Sequence, residues 1–523
     1  MKQNITRVLV AMMVLAVILL IGQEPAESEP VGEIKLAQSQ WGNEIPIPRM
    51  ELTHANDWLK LLYDPLVGTD NEGKLSPDLG LARKWDMSPD GSTWTFYLKK
   101  GIKFHDGVEL TSKDVKFSIE QIALPDSKSQ YSGHLRKTIK RMEAEDPYTV
   151  VIHCTTPYLF LPGILSDMDG PDGLIIPKDY FEKVGKDQFA KRPVGTGPYK
   201  WHSQVIGSYV KLEATGKHWR DGVPRYKYVT YLIIPEESTR IAMLRTGEID
   251  ITRVSREKAK EITDAGLQTI IKAYAAIIVF HCNMQWASPV FSDIRFRKAL
   301  NLAIDKEAII KNIFAGLASP VAAYPGKNIL TCGGDPTLKP YPYDPEEARR
   351  LIKEGGHEGY EFTMVSYPRS GCNEFPRVVE AVVGYWQKIG VKPKILMTDY
   401  NAWREKWRAR KTENTIHGYD DTSNPETGSL VRRLEVKYQS KVDQTLTNIP
   451  KLDDMFDKAI KSLNPTEVEK LLGDIYRYSY DQHLMIPICE IPDIIATGKK
   501  IPKWHPGRRR NDRNYNDLIK QRD

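Results

Sequence analysis

Two pairs of adjacent carboxylates, Asp420-Asp421 and Asp453-Asp454, are of the residue type that general acid–base catalysis uses. Both pairs fall in a loop or at a helix start, where such pairs are most often solvated. His105 and His417 stand beside acidic residues, as a metal ligand or proton carrier would. Neither has a second ligand at helical or hairpin spacing, so no metal site is predicted. There is no Gly-rich loop ending in Gly-Lys-Ser/Thr, no His-Glu-x-x-His and no Gly-x-Ser-x-Gly. Val194-Gly-Thr-Gly-Pro198 lacks the third glycine of a nucleotide loop, and Pro198 removes a donor where a helix N-terminus should offer one. It reads as a turn. The five cysteines contain no Cys-x-x-Cys. Cys332 with Cys372, or Cys282 with Cys489, can form a bridge in an exported protein, and an odd one must remain. Nothing demands catalysis or a cofactor, and none is expected.

Around these residues lie 523 positions, enough for about three domains at roughly 150 residues each. With 41% hydrophobic and 27% charged residues, the chain is neither collagen-like, disordered nor a polytopic membrane protein. The net charge of +6 resides in the last 25 residues, which hold nine basic and three acidic side chains. A neutral body with one basic end gives no field for nucleic acid, and none is expected as a partner.

Lys2 and Arg7 precede an apolar run from Val8 to Ile21, followed by the polar stretch Gly22 to Ser28. Fourteen helical residues span only ~21 Å, short of the ~30 Å hydrocarbon core, so residues 1–28 read as a secretory signal peptide. No cysteine follows the run, which argues against a lipid anchor. The body is expected to work outside the cytoplasm.

The elements are those of a mixed α/β protein. Thr93 to Lys99 alternates, with Trp94, Phe96 and Leu98 on one face of a strand. Thr111 with Asp114 resembles a capping box, followed by Val115, Ile119 and Ile122 at helical spacing. Asp293, Asp305, Asp344-Pro345 and Asn464-Pro465 open helices; Gly247, Gly316, Gly355-Gly356 and Gly390 close them. Val378, Val379, Val382, Val383 and Trp386 form a core stripe.

Several stretches together resemble the family 5 extracellular solute-binding proteins, the peptide-, dipeptide- and nickel-binding receptors of bacterial ABC importers. They are Leu62-Tyr-Asp-Pro-Leu66, Asp90 to Lys99 running into Lys100 to Gly107 and Leu110 to Ser118, Pro193 to Lys200, Ile234 to Arg240 with Gly247 to Asp250, and Phe296 to Asp305. The resemblance implies a type II periplasmic-binding-protein fold: two lobes, a hinge, and an extra third domain of the cluster C kind. The implied domains are residues 29–75, 190–281 and 487–523 for lobe I, 76–189 for the additional domain, and 282–486 for lobe II. The hinge crossings are placed near Val279 to Asn283 and Met485 to Cys489, which brings Cys282 and Cys489 near one another.

In peptide-binding relatives a carboxylate four residues before a proline meets the ligand's ammonium group, and His417 to Pro425 puts Asp421 there, with Asp420 as second choice. A buried ammonium is costly unless a carboxylate pairs with it. The strand backbone at Gly418 and Tyr419 is expected to pair with an extended ligand. By the same resemblance Arg377 takes a ligand carboxylate through its bidentate fork, with Arg369 as a rival. Tyr400, Trp403, Trp407 and Trp286 are candidates to line a pocket; Trp403 and Trp407, four apart, equally suit a core. The implied function is a non-catalytic, monomeric receptor that hands a small peptide or similar solute to an inner-membrane ABC permease from the periplasm. An oligosaccharide or metal-chelate receptor is the alternative, and an exported hydrolase a remote one.

Overall fold

The structure is a computed structural model that describes residues 29–51, 56–70, 74–129, 131–168, 170–220, 222–284, 289–324, 335, 337–367, 372–409, 411–421, 434, 437–440, 445, 447–501 and 519. Asn56, residues 273–275, Tyr400, Asn401, Arg404, Arg408 and residues 419–421 are described by their backbone alone. The segment read as a signal peptide, Trp286, Cys332 and Arg369 lie outside the described residues.

The strands in chain order are β1 (Glu33–Gln38), β2 (Gly68–Thr69), β3 (Leu75–Ser76), β4 (Ala82–Met87), β5 (Thr93–Leu98), β6 (Ile139–Glu143), β7 (Thr149–Cys154), β8 (Tyr199–Val205), β9 (Tyr209–Ala214), β10 (Tyr228–Ile233), β11 (Ile251–Val254), β12 (Gln268–Cys282), β13 (Ser319–Pro320), β14 (Glu361–Ser366), β15 (Lys392–Met397), β16 (Thr415–Asp421) and β17 (Met485–Thr497). A large sheet runs β15-β14-β16-β12-β17-β11-β1-β10-β9-β8, with β13 on β17; β4-β5-β7-β6 form a separate sheet. In one half of the large sheet β1, β10 and β11 are parallel; in the other β14, β15 and β16 are. Between them run the antiparallel β12 and β17, the two longest strands. The fold is therefore mixed α/β.

Burial divides this body into lobes. Ile34, Leu36, Tyr231 and Ile251 share a core with Ile270 of β12 and Ile495 of β17. Ile277 to Phe280 and Ile486 to Ile491 belong to another, with Phe362, Met364, Ile416 and Trp386. One pair of strands thus serves both cores. The change of core coincides with a break in register, where Lys272 opposes Asp493 but Ala276 opposes Ile491. Three residues of β12 there face one of β17, a bulge that bends and twists the pair. The break lies nearer the first core than the crossings expected near Val279 and Met485, because β12 is already in the second core at Ala276 and β17 leaves it at Ile491. Cys489 opposes Ile278 and Cys282 opposes Ile416; both are buried free thiols, as are Cys154 and Cys372.

A third core holds Trp94, Phe96 and Leu98 with Val115, Ile119, Val150 and Ile152, as the alternation of β5 and the stripe of the Ser112–Ile122 helix require. Asp114 accepts the Thr111 N–H at 2.9 Å, the expected cap. This third body is knotted to the first lobe by three of the sequence blocks. The His105 N–H donates to Gly195 O at 2.8 Å, and His105 Nδ1 accepts the Gly195 N–H at 3.2 Å. Its other nitrogen therefore carries the proton and donates to Gly197 O at 2.9 Å. Gly197 N–H in turn donates to Leu62 O at 3.0 Å. Both glycines are needed: a Cβ on Gly195 would lie 2.0 Å from Leu62 O, and one on Gly197 2.3 Å from Leu61 O. Val194 to Pro198 is thus a packing turn.

Beside it Asp64 is fully buried, ringed by His218 Nε2 at 3.0 Å, Trp219 Nε1 at 2.8 Å and Arg220 at 3.2 Å. Burial alone would raise its carboxyl pKa; the charges and hydrogen bonds of this ring outweigh that and hold it well below the usual carboxylate range. Burial depresses His105 to about 4, His281 to about 3 and His483 to about 4.

Two expectations follow. Gly195→Ala should lower unfolding free energy by at least about 2 kcal/mol in urea denaturation, whereas Gly216→Ala, with open space around its Cβ position, should stay within about 0.5 kcal/mol. Because the three histidines stay neutral in the fold but take up protons once unfolded, stability should fall as the pH drops from about 6.5 towards 4.5. The slope should approach about 4 kcal/mol per pH unit near pH 5. A flat profile in urea titrations from pH 7.5 to 4.5 would contradict their neutral burial.

Candidate functional site: the cleft between the lobes

Parallel sheets offer ligands the crevice outside the carboxyl ends of their strands. In the first lobe β11 runs from Ile251, opposite Thr497, to Val254, opposite Ile494, so its carboxyl end points at the register break. In the second lobe β16 runs from Ile416, opposite Cys282, to Asp421, opposite Ile277, and so approaches the same break from the other side. The parallel neighbours of each strand follow it. The carboxyl ends of β1, β10 and β11 thus face those of β14, β15 and β16 across the two shared strands, which form the floor of a cleft.

Contacts across the cleft agree with this geometry. Arg256, just beyond β11, donates from Nη1 to both carboxylate oxygens of Glu374, each at 3.1 Å; Glu374 caps the Phe375–Lys388 helix that follows β14. Both side chains are buried, and the Arg256 guanidinium lies 6.0 Å from the Phe314 ring of the second core. Glu257 takes Arg377 Nη1 at 3.0 Å one helical turn on. At the end of β1, Gln38 is 7% exposed and its Nε2 has no protein partner; at the end of β14 the same holds for Ser366 Oγ, 1% exposed. The third body also reaches the second lobe, with Leu159 and Phe160 against its core and Leu463 seated on Gly91.

The sequence-derived candidates fall into two groups. Gly418, Tyr419, Asp420 and Asp421 occupy the cleft end of β16. β14 pairs with β16 only as far as Val365 opposite His417, so the backbone from Tyr419 to Asp421 continues beyond it, paired with β12. Gly418 is a packing glycine, since a Cβ would meet Phe280 at 2.2 Å and Phe375 at 2.8 Å. Its carbonyl accepts the Tyr367 hydroxyl at 2.8 Å, a contact an incoming strand would have to replace. The side chains of Tyr419, Asp420, Asp421 and Tyr400 are outside the description, though Tyr400 opens the Tyr400–Arg408 helix after β15. Trp403 and Trp407 are core residues, their rings 5.3 and 4.7 Å from that of His417. Arg377, the expected carboxylate fork, is about half exposed and turned to Glu257 in the first lobe. Arg256, Glu374, Gln38 and Ser366 carry no motif; their only signal is that each stands at the end of a parallel strand or the start of the helix beyond it.

Residues 76–434 match the family described as bacterial extracellular solute-binding proteins, family 5. The chain belongs to that family. Among curated relatives of this family-5 protein, the glutathione-binding protein GsiB of Salmonella typhimurium (strain LT2) is 30% identical over 351 residues, 66% of this chain and 66% of that relative's length. Among solved structures, the substrate-binding protein CtaP of Listeria monocytogenes superposes with a TM-score of 0.78 at 22% identity, covering 92% of this chain and 98% of that one. DppA of Helicobacter pylori, in complex with the peptide STSA, gives 0.71 at 23% identity, with 92% and 98% covered. The two-lobed type II fold expected for family 5 is the fold of this chain.

Removing one partner of a buried ion pair leaves the other charge uncompensated, unless the lobes part and water reaches it. Glu374→Ala should therefore shift the ligand-free protein towards a more open form, read as a larger radius of gyration in small-angle X-ray scattering. Arg256→Met combined with Glu374→Leu should restore the compact value. Identical scattering curves for the single variant and the parent would contradict an interlobe tie.

Proposed function

We propose that this chain is the extracytoplasmic receptor of an ABC importer, and that it captures a peptide or peptide-like solute in the cleft and passes it unchanged to a membrane permease. The observation that carries the reading is the opposition of the two sets of strand carboxyl ends across β12 and β17. It creates a crevice whose two walls share the strand pair β12 and β17, so closing it on a guest centres on a change at the register break. The peptide assignment draws support from the similarity to a glutathione-binding protein and from the backbone of β16 beyond Gly418. An extended ligand can lie along that backbone through main-chain hydrogen bonds. Asp421, at the mouth of the strand, is the residue we assign to the ligand's ammonium group, with Asp420 beside it.

Calorimetry with a panel of di- to tetrapeptides and glutathione, set against maltotriose and nickel–histidine, tests this directly. Peptide or glutathione should bind and be recovered unaltered; binding of the sugar or the chelate alone would replace the assignment. In the same assay Asp421→Ala should cost about 3–5 kcal/mol of peptide affinity, and unchanged affinity would remove Asp421 from the site.

A further inference from the structure

One face of the first-lobe sheet carries Leu36 of β1, Ile251 of β11, Ile495 of β17 and Ile270 of β12, four adjacent strands that share one core. Leu36 lies opposite Ile251, Arg253 opposite Ile495, and Ile495 opposite Ile270. Two positions along each strand return to the same face. Moving that far towards the cleft from these four apolar residues gives Gln38, Arg253, Asp493 and Lys272. The apolar face therefore ends in a polar edge at the carboxyl ends of β1 and β11.

Three members of that edge answer one another. Asp493 stands opposite Lys272 and accepts Nη2 of Arg253. Gln38 differs. Its backbone is fixed, since its carbonyl accepts the Ile234 N–H at 2.8 Å. Its side chain is not: the residue is 7% exposed, and Nε2 has no hydrogen-bond partner. A buried donor left unanswered is costly, and native structures keep few of them. At the carboxyl end of a parallel strand, the space beside that donor is the ligand crevice. With the neighbouring charges turned on each other, the acceptor that suits this place is a neutral one.

We propose that Gln38 is a specificity residue of the first lobe, whose Nε2 donates to a main-chain amide carbonyl of the bound solute. The assignment rests on the receptor reading above and names the group recognised. It gives the first lobe its own hold on a guest that lies along β16 of the second. Such a contact is indifferent to the peptide's side chains and to the chemistry of its two ends.

The test uses the full chain and Gln38→Met, which keeps the length of the side chain and loses the donor, with Gln38→Leu as a second variant. Trialanine, its C-terminal amide and its N-acetyl form are titrated by calorimetry, and the ligand-free proteins are unfolded in urea. Each variant should weaken all three forms by the same factor, about tenfold, and should leave the unfolding midpoint no lower than the parent's. Unchanged affinity, a loss confined to the forms with a free carboxylate, or a lowered midpoint would overturn the assignment while the peptide receptor stands. Should neither variant fold, the parent labelled with 15N at its glutamine side chains decides. Gln38→Asn identifies the Gln38 amide signals, which should move with trialanine; their stillness overturns the assignment. If no form of the peptide binds, the peptide reading falls. Titration with N-methylacetamide then tests Gln38 alone: movement of its amide signals supports the carbonyl contact, and their stillness overturns it as well.

Discussion

Everything in the molecule depends on β12 and β17 being hydrogen-bonded to each other through two different hydrophobic cores. A strand pair that packs in one core at Ile270 and Ile495 and in the next at Ile278 and Ile488 has to change its surroundings somewhere. It does so at the bulge between Lys272 and Ala276, where the ladder skips. Rigid lobes on either side and one locally irregular strand pair between them are the ingredients of hinge closure. The same two strands fix the polarity of their neighbours, so the crevices of both lobes open on one space.

The third body is held by a different kind of interaction. Its link to the first lobe consists of backbone brought so close that only glycine fits, at Gly195 and Gly197, locked by a neutral histidine with both ring nitrogens engaged. Asp64 holds His218, Trp219 and Arg220 in a charged ring on the first-lobe side, and Arg220 reaches across to donate to Leu79 O at 2.6 Å. These contacts tie the third body to the first lobe. Its contacts with the second, through Leu159, Phe160 and the Gly91 turn, are apolar and local, and can part when the lobes do.

Much of this was legible in the sequence. Capping aspartates, closing glycines and the alternation of Trp94, Phe96 and Leu98 state local structure directly, because each acts on its own turn or strand. The ordered family blocks were legible as well, and the structure explains three of them as a packing knot. The site was harder to read. Its charged residues, Arg256 and Glu374, are far apart in sequence and meet only because two lobes close on each other. Arg377 illustrates the converse: a helix position can be inferred from a motif, but its neighbour Glu257 comes from the other lobe. Trp403 and Trp407 read equally well as core or pocket from their spacing, and the structure buries both in the second core.

The central claim is that one guest touches the carboxyl ends of strands from both lobes at once. Hydrogen–deuterium exchange, measured with and without a saturating tripeptide, tests it most directly. Exchange should slow together in residues 251–258 of the first lobe and in residues 372–377 and 415–421 of the second. Slowing confined to one lobe, or to the acidic hollow of the third body around Asp106, Glu109 and Asp146, would contradict the account.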